Sequence, residues 1–295
     1  MEINRNWHRK RTTLTLSKCR NVSGIMFSHV LGSLHSRAAR SHFTLWCAVK
    51  IRNQCNAIIG RALGASVPHH HANGEEKLSA ALRGKLRYFV DVGANRGTWT
   101  GMFCKYQSNI DGGLLFEPSA SAVAELRRRF DGDSRLEIIG AAVGDVQGET
   151  VFYEEAEAGE TSSLVIHHST AKSIPRGVRL TTLDAELEGR NWPQIDFLKV
   201  DAEGYDFHVL RGARSLLTSH QIRIGQFEYG PGWRHAGSTL ACALDFLSGL
   251  GYACLLLTRD GLSEPRYEWY GEYFEYSNYV FFRPDAQALI TDLIR

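Results

Sequence analysis

From Leu86 onward the sequence alternates between short apolar runs of strand length and amphipathic runs of helical length, and few folds accommodate that alternation. "RYFVDVG" predicts a strand and "TWTGMFCKY" a helix. "GLLFEP" predicts a second strand, followed by "SASAVAELRRRF", where Val123, Leu126 and Phe130 share one helical face. "RLEIIGAAVG" supplies a third strand and "IDFLKVDAEG" a fourth, whose unbroken apolar run suits a central position covered on both faces. The stretch between them is irregular, with a hairpin expected around "GETVFYEE". "YDFHVLRGARSLL" then predicts a helix, "IRIGQFEYG" a fifth strand and "STLACALDFLSGLG" a helix closed by glycine. "YACLLLTRDG" and "NYVFFRP" close the chain as strands with no helix between them, so they are expected to pair antiparallel at one edge. The rhythm specifies an α/β fold with a doubly wound, Rossmann-like sheet.

Ligands of such sheets bind beyond the carboxyl ends of the strands, so chemistry is first expected in the turn within "FVDVGANRGTWT" (Phe89 to Thr100). Its glycines are Gly93 and Gly97. A dinucleotide fingerprint places a further glycine at the position held here by Asn95, where the backbone must approach a pyrophosphate. A side chain there crowds a pyrophosphate but not a ligand that lacks phosphates. Asp91, two residues before Gly93, would repel a pyrophosphate; it can receive an ammonium group or hold the turn's own amides. Glu117 ends the second strand twenty positions after Gly97, the range in which an acid meets a ribose diol. The ligand so described has a ribose, no required phosphate and a cationic amino-acid end. S-adenosylmethionine fits that description. A nicotinamide dinucleotide fits it less well, which leaves an NAD(P)-dependent oxidoreductase as the rival enzyme and a catalytically silent cofactor-binding domain as the rival without turnover.

With 43% hydrophobic and 22% charged residues, the chain cannot be disordered throughout. Its net charge of +2 conceals an asymmetry: residues 1–67 hold eleven Lys/Arg against one acid, Glu2, while the remainder is acidic. An acidic body argues against a nucleic-acid partner. By composition the basic segment resembles an organellar transit segment or a poor signal peptide, and equally a flexible or loosely helical extension. Its least polar piece, "VSGIMFSHVLGSL" (Val22 to Leu34), is too short and too polar to span a bilayer. "HHHANG" (His69 to Gly74) reads as a solvated linker, so residues 1–80 are expected to form a basic extension and linker and residues 81–295 the domain. The six cysteines show no paired spacing. That excludes a recognisable zinc motif or disulfide framework and points to a reducing, cytoplasmic compartment, with Cys104 and Cys242 expected as small core residues.

A second stretch is more specific. "FLKVDAEGYDFHVLRGA" (Phe197 to Ala213), taken with "VDVGANRGTWT", "FEPSASAVAEL", "AAVGDVQGETVFY", "SSL" (Ser162 to Leu164), "TTLDAEL" and "QFEYG", resembles the FkbM family of S-adenosylmethionine-dependent methyltransferases. The resemblance runs from about Phe89 to Phe282 and leaves out the first 67 residues. It implies a class I methyltransferase sheet with a reversed last strand, and transfer of a sulfonium methyl group to a hydroxyl of a sugar, glycolipid or secondary metabolite. By position it implies that Asp91, Gly93, Asn95 and Gly97 form the methionine-side turn, that Glu117 meets the ribose, and that the segment from Ala142 to Asp145 walls the adenine. It also implies that Lys199, Asp201 and Glu203 face the methyl group. The family carries a carboxylate, often glutamate, in the helix after "EG"; here it is the shorter Asp206.

Methyl transfer is an in-line displacement on an activated donor, so the protein's main task is alignment, which can supply roughly 7–11 kcal/mol. A hydroxyl is still a poor nucleophile near neutrality and profits from a base or a metal. Asp201, at a strand end, is the first candidate base and His208 the second, although Asp201 could instead anchor the methionine amino group. Asp201, Glu203 and Glu228 could gather a hard cation such as Mg²⁺, which prefers oxygen ligands. "EYGPGWRHAG" (Glu228 to Gly237) and "RYEWYGEYFEY" (Arg266 to Tyr276) mix aromatics with charges, as a sugar-stacking lid would, or as a loop packed back onto the core would.

Overall fold

A computed structural model of the chain describes residues 36, 38–64, 70–154, 162–165 and 173–295. The stretch from Val22 to Leu34 lies outside the described residues, as do His69 and the side chains of His70 and His71. The chain divides into two compact units, residues 1–57 and 58–295. The helix His42–Ala62 crosses that division and buries none of its side chains. Leu63 and Leu78, in the stretch read as extension and linker, are buried in the cores of the second unit.

The strands of the second unit are β1 (Tyr88–Val92), β2 (Gly112–Phe116), β3 (Leu136–Ile139), β4 (Ala142–Val143), β5 (Gly148–Glu154) and β6 (Ile174–Thr181). They continue with β7 (Ile195–Val200), β8 (Ile222–Tyr229), β9 (Ala253–Thr258), β10 (Gly261–Ser263) and β11 (Ser277–Phe282). Eight of them form one sheet in the order β10-β9-β11-β8-β7-β1-β2-β3. β1 runs parallel to both β2 and β7, β2 to β3 and β7 to β8. The last strand is reversed, as the resemblance implies: β11 lies antiparallel to β8 and to β9. The antiparallel pair β9–β11 lies on one side of the sheet, as expected of two strands with no helix between them. Within it β11 is inserted between β8 and β9, and all six of its residues are buried, in keeping with apolar side chains on both of its faces. The short β10 takes the edge.

The third predicted strand divides after Ile139. Leu136–Ile139 stays in the main sheet, while Ala142–Val143 joins a second, three-stranded sheet of order β4-β6-β5. "GETVFYE" is a single strand of that sheet, paired antiparallel with β6 rather than folded on itself. Alternate residues of the main strands feed two cores: Val90, Val92, Leu198 and Val200 point to one, Phe89, Leu115, Phe197 and Val280 to the other. A sheet covered on both faces is the doubly wound arrangement. Helix Ala120–Arg129 packs Val123 and Leu126 inward, with Ser119 capping it through the amide of Ala122. Cys104 is partly buried, whereas Cys242 is exposed on helix Leu240–Gly249 and takes no part in the core.

Candidate functional site

β1 is the strand at which the chain order reverses, with β2 on one side and β7 on the other. The carboxyl ends of these strands open into a cavity of about 600 Å³, at the position where open α/β sheets bind ligands. Gly93 makes the approach possible. Its φ is +80°, and a Cβ there would overlap the carbonyl of Asp201, so the ends of β1 and β7 meet across an absent side chain. Gly97, at φ +74°, caps helix Thr98–Tyr106, and a Cβ would sit 2.5 Å from the Phe130 ring. Both glycines therefore serve chain packing. Asn95 takes a left-handed conformation at φ +46°, and its amide donates to Glu117 Oε2 at 2.8 Å.

Two carboxylates of the turn are strained electrostatically in the same direction. Asp91 is fully buried; burial, opposed by Lys199 and the Thr100 hydroxyl, pushes its pKa up to about 6. Thr100 Oγ1 donates to its Oδ2 at 2.6 Å, while its Oδ1 is buried with no hydrogen-bond partner. Glu117 is raised to about 7 by burial, against the backbone amides of Ser119 and Asn95. A buried carboxylate oxygen without a donor is costly. Glu117 lines the cavity and Asp91 does not, although its neighbours Val92, Gly93 and Lys199 do; a hydroxyl-bearing ligand at Glu117 and a cation at the acidic strand ends fit the ribose and ammonium ends of S-adenosylmethionine.

Beside Asp91 runs a polar row that sequence reasoning saw only in part. Asp91 is in register with Lys199, and Lys199 with Gln226, across three neighbouring parallel strands. Lys199 is buried. Burial alone would depress its pKa, but Asp201, Glu75 and Asp91 raise it above its ordinary value, so it stays a cation. Its ammonium bonds Asp201 Oδ2 at 2.8 Å and stands 3.9 Å from Glu75 Oε1, over the Trp99 ring. Glu75, from helix Glu75–Ala81, also accepts from Gln226 Nε2 at 2.6 Å and from Asn73 Nδ2 at 2.8 Å. Glu75, Asn73, Trp99 and Asn278 all line the cavity, and the sequence does not mark them as site residues. A signal existed for Glu75, an acid at the start of a helix after Gly74, but it lies in a stretch that reads as linker.

Asp201, Glu203 and Glu228 do converge: an oxygen of each lies within 4.8 Å of the others. Burial and the neighbouring Asp201, Glu203 and Asp206 push Glu228 well above the usual carboxylate range. Glu203 holds a left-handed φ of +49°, its carbonyl accepting from Ser163 Oγ at 2.7 Å. Asp206 is not in the cavity lining. Its oxygens accept the amides of Ala202 and Gly204 at 3.1 Å each, which fixes the turn carrying Glu203. Burial raises it to about 7.

His208 and Asp145 lie together, away from the cavity lining. His208 Nδ1 stands 3.2 Å from Asp145 Oδ1 without the alignment of a hydrogen bond, and its Nε2 contacts the Ala236 carbonyl at 3.2 Å. Its ring stacks on Tyr205 at 4.2 Å. Ala142 does line the cavity, with Ala141 and Val143. The aromatic loops are mostly bolted down. Trp233 is fully buried, and Glu272 caps helix Leu240–Gly249 while accepting the hydroxyls of Tyr229 and Tyr267. From the second loop, Tyr276 reaches the cavity.

Comparison with known proteins follows the same lines. No curated protein matches the chain. Among solved structures it is similar to methyltransferase FkbM of Methylobacillus flagellatus KT, with 15% identity and a TM-score of 0.43 over 67% of this chain and 44% of that one. It therefore spans less than half the length of that protein. It is also similar to the precorrin-6y C5,15-methyltransferase of Geobacter metallireducens GS-15 (8% identity, TM-score 0.40, 71% of this chain, 86% of that one). A putative methyltransferase of Streptococcus mutans in complex with SAH gives 8% identity and a TM-score of 0.40 over 70% of this chain and 94% of that one. These scores carry little weight beside the sequence itself, which matches the family model described as "Methyltransferase FkbM domain" over residues 91–254. That match covers more than half of the chain and contains Asp91, Glu117, Asp201, Glu203 and Glu228, and the chain belongs to the FkbM methyltransferase family.

Proposed function

We propose that this protein is an S-adenosylmethionine-dependent O-methyltransferase acting on a hydroxyl of a sugar, glycolipid or secondary metabolite. The observation that carries the reading is the acidic strand-end cavity, lined by Glu117, Asp201, Glu203 and Glu228, with the buried, unpartnered Oδ1 of Asp91 on the strand beside the lining residues Val92, Gly93 and Lys199. A diphosphate bridge would meet the acidic lining and the nearby Asp91 as repulsive charge, whereas an ammonium group is attracted to them. Asp91 would hold the donor's amino group, Glu117 the ribose, and Ala142 with its neighbours the adenine. When bound, the donor supplies a methyl group already activated by its sulfonium.

Asp201 is the group proposed to receive the acceptor's proton. One of its oxygens is fixed by Lys199, and the other has no hydrogen-bond partner among the described residues. As the new carbon–oxygen bond forms and the carbon–sulfur bond breaks, the hydroxyl proton passes to that oxygen. His208, turned toward Asp145 and Ala236, is not given this role. The convergence of Asp201, Glu203 and Glu228 favours one variant, in which a divalent cation lowers the hydroxyl's pKa.

Two measurements test the reading. Titration with S-adenosylhomocysteine should show binding and titration with NADH none; the reverse result overturns it. Labelled donor incubated with cell extract should mark a hydroxylated product, and Asp201→Asn should slow that transfer by roughly 10²–10⁴ while donor affinity stays within a few-fold. Loss of donor binding in Asp201→Asn would assign the residue to anchoring instead. In the cation variant, chelation abolishes transfer and leaves donor binding intact.

A further inference from the structure

The helix His42–Ala62 carries seven of the twelve large apolar side chains that stand exposed among the described residues, including Phe43 at 74%, Ile51 at 65% and Ile58 at 68%. Exposed apolar surface of this kind marks an interaction site. At helical spacing, Cys47, Ala48, Ile51, Cys55, Ile58 and Ile59 fall within an arc of about 120° that contains no charge. Lys50 and Arg61 border one margin of that arc and Arg52 the other. No Asp or Glu occurs anywhere between Glu2 and Glu75. At the amino end Phe43 stacks on Trp46 at 6.3 Å, and the Lys50 ammonium lies 5.6 Å from the Trp46 ring.

We propose that this helix lies in the plane of an anionic phospholipid surface, its isoleucine stripe in the acyl boundary and its flanking cations at the lipid phosphates. Three observations select that occupant. The helix is not apolar enough to cross a bilayer, with Lys50 and Arg52 near its middle. A second copy of the helix would set Lys50, Arg52 and Arg61 against the same cations, whereas paired helices need complementary charges beside the apolar seam. An apolar stripe bordered by cations on both sides matches a surface that is apolar below and anionic above, and lysine and arginine stems can cover the margin while their heads reach phosphate. This inference is independent of the reaction proposed above.

The test is co-sedimentation of the full-length chain with vesicles of phosphatidylcholine alone and of phosphatidylcholine mixed equally with phosphatidylglycerol. The protein is expected to pellet with the mixed vesicles and to stay in solution with the neutral ones. Each cation removed should weaken binding by roughly fivefold, so Lys50→Glu with Arg52→Glu should lower it by well over tenfold. The pair Ile51→Ser and Ile58→Ser should also release the protein. Neither pair touches a buried side chain, so the unfolding temperature should be unchanged and serves as the folding control. Equal pelleting with both vesicle types, pelleting with neither, or unchanged binding by both variant pairs would overturn the proposal. So would a dimer in light scattering that the isoleucine pair dissolves, or retention on RNA in the absence of vesicle binding.

Discussion

Replacing Asp91 by asparagine should move stability and donor binding in opposite directions. The carboxyl's pKa rises from 3.8 to about 6 on folding, chiefly through burial. A group raised in this way holds its proton more tightly in the folded state, so it costs nothing below pH 3.8 and its penalty is complete above about pH 6. Two units correspond to roughly 3 kcal/mol. The asparagine side chain would keep an oxygen for Thr100 Oγ1 and carry no charge; set against the burial cost of the amide, the gain at pH 8 is about 1–3 kcal/mol. That amounts to an unfolding temperature higher by about 2–10 °C at pH 8, with little change near pH 4. The same substitution removes the anionic partner of the donor's ammonium, a charge-assisted bond worth roughly 1.5–3 kcal/mol, or about 10- to 150-fold in Kd. Calorimetric unfolding at both pH values, paired with isothermal titration of S-adenosylhomocysteine, reads both quantities. A variant less stable at pH 8, or one that keeps full donor affinity, would refute the assignment of Asp91 as a strained cation acceptor.

Two further substitutions probe the frame around the site. Gly97→Ala must adopt φ +74° and press its Cβ against the Phe130 ring and Leu126; about 1–2 kcal/mol of backbone strain and about 1–3 kcal/mol of overpacking should appear as a lower denaturation midpoint with unchanged slope. Glu272→Ala leaves the amides of Leu240 and Ala241 and the hydroxyls of Tyr229 and Tyr267 without their acceptor. It should cost about 2–4 kcal/mol while donor affinity in titration is unchanged, because the loop it holds is fastened to the core instead of closing over the cleft.

The strand ends were legible because they obey a local rule. Asp91, Glu117 and Asp201 each end an apolar run, and Gly93 and Gly97 fall where a chain must turn sharply between strand and helix. Strand order is not encoded in that way. The antiparallel pairing of "YACLLLTRDG" with "NYVFFRP" follows from the missing helix between them, but that "NYVFFRP" also lies against β8, with the short β10 outermost, depends on which partners lie alongside. Glu75 was hidden for a related reason. Its partner Gln226 is 151 residues away, and its own surroundings are polar and glycine-bearing, so nothing local marks it as the carboxylate that neutralises a buried lysine. His208 and Asp145 show the opposite case. Both stand next to motif residues, but Gly212 lets the following turn pack against the Gly144 carbonyl, and the two side chains meet each other there instead of the cavity.

The pKa of Asp91 also fixes how donor affinity should depend on pH. An ammonium ligand binds the ionised carboxylate, so at any pH below about 6 the free protein must first give up a proton. Affinity for S-adenosylhomocysteine should therefore be flat from about pH 7 to 8 and fall toward tenfold per unit below about pH 6. Glu117, raised to about 7, adds little to that slope, since its proposed partner is a neutral diol that accepts or donates a hydrogen bond to either form. Titration in two buffers of different ionisation enthalpy should show close to one proton released at about pH 5 and almost none at about pH 8. Asp91→Asn should abolish the release as well as the slope. A proton uptake at the lower pH, or a release that survives in the asparagine variant, would mean that the cation sits on another carboxylate of the cleft, and the reading of the β1 turn as the methionine end would fail with it.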